Sequence, residues 1–184
     1  NFKNTSRYGF LVLNEEPAVY EARATKNIPE IDGQPDEQAW DSVEWNSMPY
    51  NWLDNPFPSE DDFSGRFKAI WTLDKLYLLA EIKDDVLRDS RPDPLDRYFA
   101  DDCLEVFIDE DNSGGEHRNN NNAYAYHISV FGDIVDLNNN GDPALFNDHA
   151  VLDIDTLSNN TYLWEVAIKV HNENGQPVSL SRGK

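Results

Sequence analysis

Asp101-Asp102-Cys103-Leu104-Glu105-Val106-Phe107-Ile108-Asp109 is the stretch on which the reading of this chain turns. Side chains along a strand alternate between two faces, so Leu104, Val106 and Ile108 share one face while Cys103, Glu105 and Phe107 share the other. A carboxylate in mid-strand beside an aromatic ring suits a face that meets something polar with a flat apolar side, and a sugar ring is such an object. Carboxylates crowd both ends of the strand, which fits a bound cation.

Outward from this strand the chain reads as short strands and turns. Residues 66–72 alternate Phe67, Ala69 and Trp71 against Arg66, Lys68 and Ile70. The turn Leu73-Asp74-Lys75 leads into a partner carrying Leu76, Leu78, Ala80 and Ile82 on one face. Residues 124–131 set Tyr124, Tyr126, Ile128 and Val130 against Ala125, His127, Ser129 and Phe131, and Gly132-Asp133 turns the chain back. Residues 161–170 place Tyr162, Trp164, Val166, Ile168 and Val170 inward. Near the start, Ile31-Asp32-Gly33-Gln34-Pro35-Asp36 makes a turn before one helical turn, with Asp36 the expected N-cap. Many short strands separated by turn residues predict an all-β fold, an antiparallel β-sandwich. The expected sandwich domain covers residues 28–184, preceded by an N-terminal arm at 1–27.

Composition narrows the function. The 184 residues hold 15 basic and 35 acidic side chains, a formal charge of −20. Nucleic acid is excluded as a partner, because phosphate binding needs Lys and Arg to displace counterions. No apolar run is long enough for a membrane-spanning helix. The four histidines (His117, His127, His149, His171) are scattered and the one cysteine sits in a strand pattern, so zinc spacing is absent. The loop Asp109-x-Asp111-x-Ser113-Gly114 and the loop Asp136-x-Asn138-x-Asn140-Gly141 each match half of a calcium loop, but lack its closing Glu. Both read better as Asx turns.

A hydrolase reading is disfavoured by geometry. Glu105 and Asp109, four apart on one strand, would stand about 13 Å apart at about 3.3 Å per residue. Glycosidase carboxylates are separated by roughly 5 to 9.5 Å. No grouping of nucleophile and base is visible either, so no catalytic residue is assigned.

The motifs IDGQPDEQAW, WTLDKLYLLAEIKDDVL, DDCLEVFIDEDNSGG, AYAYHISVFGDIVD and YLWEVAIKV occur in an order that resembles the family 9 carbohydrate-binding modules and the wider DOMON-like sugar-binding domains. The resemblance spans residues 31–170. It implies a non-catalytic β-sandwich that binds poly- or oligosaccharide, accompanies polysaccharide-degrading enzymes and carries structural calcium. One stacking ring of the family falls at Phe99, with Tyr98 beside it, where a Trp is usual. The sugar-contacting carboxylate falls at Glu105, and the usual Arg and Asn of the partner strand are replaced by His127 and Ser129. The calcium site falls on Asp84, Asp101 and Asp102. The second ring of the family comes from a segment after YLWEVAIKV, so one or more closing strands beyond residue 179 are expected to be absent from this sequence, which is then a fragment of the domain or has its sheet completed by a partner chain. Trp52, in a polar loop, is a spare stacking candidate, while Trp40, Trp71 and Trp164 sit in core patterns. A secreted, periplasmic or cell-surface location follows from the same resemblance. Two alternatives go with it: a DOMON-like haem-binding redox domain, for which Met48 is the one methionine, and a strand-accepting assembly domain.

Overall fold

The alternation read along the chain becomes two sheets, antiparallel but for one short edge strand, in the computed structural model, which describes residues 19–48, 59–60, 62–114, 121–157 and 160–182. The first sheet contains β1 (Arg23–Ala24), β2 (Asn46–Ser47), β3 (Phe63–Trp71), β4 (Leu76–Asp84), β9 (Ala150–Thr156) and β10 (Thr161–Ile168). Its order is β1-β3-β4-β10-β9, and β2 pairs with β3. The second contains β5 (Cys103–Ile108), β6 (Tyr124–Ser129), β7 (Ile134–Leu137) and β8 (Pro143–Leu145), paired in that order.

The predicted faces meet between the sheets. Leu104, Tyr124, Tyr126, Ile128 and Ile134 from the second sheet pack on Ala80, Trp164, Val166 and Ile168 from the first. The β3–β4 turn is fixed by Thr72, whose Oγ1 accepts the N–H groups of Asp74 and Lys75, both at 3.3 Å.

The first sheet is covered on its other face as well. Ala39, Trp40 and Val43, with Ile31 and Trp45 beside them, pack on Ile70, Tyr77, Leu79, Leu163 and Ala167. A second apolar core therefore lies outside the sandwich proper, and β10 reads as apolar on both faces for that reason. The helical turn α1 (Gln38–Asp41) has Glu37 at its N-cap rather than the expected Asp36, and makes no side-chain cap bond. Asp36 is instead drawn into the preceding turn, where its N–H donates to the Gln34 carbonyl at 2.8 Å.

The residues before position 28, expected as an arm, are tied to this sheet from Tyr20 onward. The Tyr20 hydroxyl accepts from Ala69 N–H at 3.1 Å, Trp71 Nε1 donates to Ala22 O at 3.0 Å, and β1 pairs in parallel with β3.

Candidate sugar-binding face

The outer face of the second sheet carries the predicted polar residues. The β5–β6 register sets Glu105 opposite His127 and Cys103 opposite Ser129. His127 Nδ1 lies 2.9 Å from the Ala125 carbonyl, which can only accept, so this nitrogen carries a proton. That leaves Nε2 facing Glu105 Oε1 at 3.3 Å. The hydrogen bond from His127 holds the Glu105 carboxyl below its usual range despite burial. Burial alone would lower the His127 pKa, but Glu105, the Ala125 carbonyl and Asp136 outweigh it, so the imidazole holds its proton more tightly than usual. The two groups are an ion pair with Glu105 the more exposed partner, its side chain at 37 % against 12 % for His127.

Aromatic rings border the pair. Tyr98 stands edge-on to His127 with centroids 4.7 Å apart, and Phe99 stands edge-on to Tyr98 at 5.4 Å. Tyr98 rather than Phe99 is therefore the ring directly against the pair. Phe107, next to Glu105 on the same face of β5, lies 6.4 Å from the His127 ring. Phe99 and Phe107 are exposed. Its alternation with Glu105 is the sequence signal that set Phe107 on this face.

The loop that presents Tyr98 is braced on the entrance to β5. Arg91 Nη1 donates to Asp101 Oδ1 at 2.7 Å and Ser90 Oγ donates to the same oxygen at 2.8 Å, while Arg91 N–H reaches Oδ2 at 3.2 Å. Against the effect of burial, these bonds keep the Asp101 carboxyl below its usual range. Asp102 N–H donates to the Arg88 carbonyl at 2.9 Å, and the Asp102 side chain accepts the Arg88 N–H. Arg91 and Arg88 are thus positioning groups that sequence reading passed over, since nothing in the spacing pairs them with the two aspartates.

The expected cation ligands separate on this geometry. Asp101 has both oxygens engaged by Ser90 and Arg91 and suits a guanidinium rather than a metal. The Asp84 carboxyl is raised by burial and then by the charges of Asp102, Asp85 and Asp62, the kind of repulsion a cation relieves. Among the described residues, no three His, Cys, Asp or Glu side chains are arranged to hold a metal ion. In the two Asx-rich loops the side-chain oxygens accept backbone N–H groups, as turn residues do. Asp109 takes Gly114, Asp111 takes Ser113, and Asn138 takes Asn140 and Asp142.

Ser129 is placed beside Cys103 on the outer face, but its Oγ accepts the N–H groups of Phe131 at 3.3 Å and Asp133 at 3.1 Å. It braces the β6–β7 turn and has its hydroxyl proton left to offer. Trp52 lies outside the described residues. Met48 packs beside the inter-sheet core, its sulfur 2.9 Å from where a side chain on Gly65 would begin, and the haem reading finds no support. Among the described residues no helix is long and apolar enough to cross a membrane.

A sandwich with one face covered, the other carrying rings beside a polar pair, and Asp109 turned into a loop instead of facing Glu105 is a binding module. The chain belongs to the family described as Carbohydrate family 9 binding domain-like, whose profile matches residues 31–182. Its function is non-catalytic carbohydrate binding. Similar proteins include the Endo-1,4-beta-xylanase A of Thermotoga neapolitana, 32% identical over 111 residues, and the Exoglucanase XynX of Acetivibrio thermocellus, 30% identical over 109 residues. Each match covers 59% of this chain and 9% of the relative, so the chain corresponds to a small part of those enzymes. Two structures of a family 9 carbohydrate-binding module from Caldicellulosiruptor kristjanssonii, one in complex with glucose and one with cellotriose, align with TM-scores of 0.56 and 0.54 at 22% identity. They cover 87% and 88% of this chain and 69% and 68% of those chains, and share its fold.

Proposed function

We propose that this module holds a neutral poly- or oligosaccharide on the outer face of the second sheet. Tyr98 and Phe99 stack on sugar faces, while Glu105 accepts from and His127 donates to hydroxyl groups. Ser129 contributes at most its hydroxyl proton. The observation that carries this reading is the ion-paired Glu105 and His127, half-open to solvent and bordered by exposed rings. A polar pair of that kind is costly to leave idle beside apolar surface, and sugars match both parts at once. The same reading makes the chain an accessory module of a polysaccharide-degrading enzyme, secreted, periplasmic or displayed at the cell surface. The xylanase and exoglucanase relatives support that placement. A structural calcium ion belongs to the reading as well, narrowed to Asp84 and Asp102 by the engagement of Asp101 with Arg91.

The test is a glycan array followed by calorimetry on the 184-residue chain and on Glu105→Ala. Binding of a neutral glycan by the wild type, weakened at least tenfold in the variant, is the expected result. Absence of binding to every glycan would defeat the site assignment. Melting in EGTA tests the ion separately: no fall in Tm removes calcium from the reading.

A further inference from the structure

We propose that the sugar site continues past Tyr98 into a second subsite, the cleft between residues 89–102 and the β6–β7 turn, so that the module grips a neutral chain along several units. This extension rests on the sugar-binding assignment of the Glu105–His127 face. The cleft encloses about 420 Å³, with Tyr98 and Phe131 among its walls and Cys103 and Ser129 at the sheet.

Three observations point the same way. The first is continuity. Cys103 and Ser129 form the cross-strand pair next to Glu105 and His127 on the same face, about 6.6 Å along the strands. A ligand lying over the ion pair therefore runs directly into the cleft, with Tyr98 between the two.

The second is Phe131. The residue is 81 % exposed, yet the turn that carries it is firmly built. Ser129 Oγ takes two N–H groups of the turn, Ser129 N donates to Asp133 O at 2.8 Å, and Asn147 Nδ2 donates to Asp133 Oδ1 at 3.1 Å. Gly132, at φ 91°, supplies the left-handed corner. A large apolar ring held out on a rigid turn loses little freedom when a flat ligand covers it. With Phe107 at the far end of the ion pair, exposed rings stand on both sides of it.

The third is charge. Asp89, Asp93, Asp96, Asp102 and Asp133 line the cleft, and Arg91, the one guanidinium among its described lining residues, is held by Asp101. Uronic and sulfated sugars are repelled by such a lining. Carboxylates accept hydrogen bonds from neutral hydroxyl groups, so a neutral chain is the ligand class that suits both the rings and the acids.

Calorimetry with neutral gluco- and xylo-oligosaccharides, from monosaccharide to hexasaccharide, tests this on wild type, Phe131→Ala and Phe131→Trp. Wild-type affinity should rise with chain length, Phe131→Ala should lose about tenfold of that gain, and Phe131→Trp should keep or exceed it. Because the ring is exposed, the three proteins should melt together. A wild type whose affinity does not grow with length, or a Phe131→Ala protein with the full gain, overturns the second subsite while leaving the first in place. A wild type that binds no sugar of any length overturns both.

Discussion

Glu165, with no exposed surface, accepts the indole N–H of Trp40 at 2.9 Å across 125 positions of sequence. Its second oxygen accepts the N–H groups of Asp32 and Gly33, both at 3.2 Å. One carboxylate thus clamps the Asp-Gly turn and the following helical turn onto the first sheet.

Glu165→Ala should cost about 3 kcal/mol, because it leaves three donors, two of them buried, without an acceptor. Urea unfolding measures this. A loss within experimental error would mean that the covering segment is held by apolar contact alone.

Sugar affinity should weaken as pH rises. The His127 pKa lies above its usual value, so the ion pair extends to higher pH than for a free imidazole and is lost as pH climbs through that raised value. Neutral His127 no longer donates from Nε2. Titrating the dissociation constant from pH 6 to 9 should show the loss, and a His127→Gln protein should show a flat profile. A wild type equally flat would remove His127 from the site.

Acid should act on stability through a different pair. The rings of His149 and His171 stack with centroids 3.6 Å apart, both buried, and Tyr126 Oη shares a hydrogen bond with His149 Nδ1 at 2.7 Å. Burial, then His171, lowers the His149 pKa to about 4, with Asp148 and Lys169 as the charged neighbours, and burial lowers His171 too. The unfolded chain takes up these protons first, so stability is complete above about pH 6.5 and falls by about 3 kcal/mol on the way to pH 4. The difference in Tm between wild type and His149→Gln should shrink over that range. A constant difference would refute the coupling.

Cys103 should be inert. Burial, followed by the charges of Glu105, Asp102 and Asp101, pushes its thiol up to about 12. Thiolate at pH 8 is then on the order of one molecule in ten thousand. Iodoacetamide should label the unfolded chain and leave the native one unmodified over hours. Rapid native labelling would show the outer face of β5 to open far more readily than the burial of Cys103 implies.

The two mid-strand glutamates explain how far sequence reading reached. Glu105 and Glu165 sit in similar settings, Leu104-Glu105-Val106 and Trp164-Glu165-Val166, and alternation turns each away from the inter-sheet core. For β5 that direction is solvent, and the polar face with His127 opposite was legible. For β10 it is a second core, built by residues more than 120 positions away. Alternation tells which residues share a face; it does not tell what covers that face. The partners of the entrance acids were not legible for a related reason. Asp101 and Asp102 look alike in sequence, and the loop that brings Arg91 to one and the Arg88 backbone to the other has no periodicity to read. Alternation set Phe131 on the face of His127 and Ser129, but it does not tell how far the turn at Gly132 leaves the residue exposed.

The covering of the first sheet has a consequence for how the molecule meets a solid. With residues 31–45 laid over one side, the sandwich has a back and a front, and the rings occupy the front. On a flat polysaccharide surface such a body settles in one attitude only. Whatever is joined to it is then held at a set angle to the polymer, and the module orients its cargo as well as retaining it.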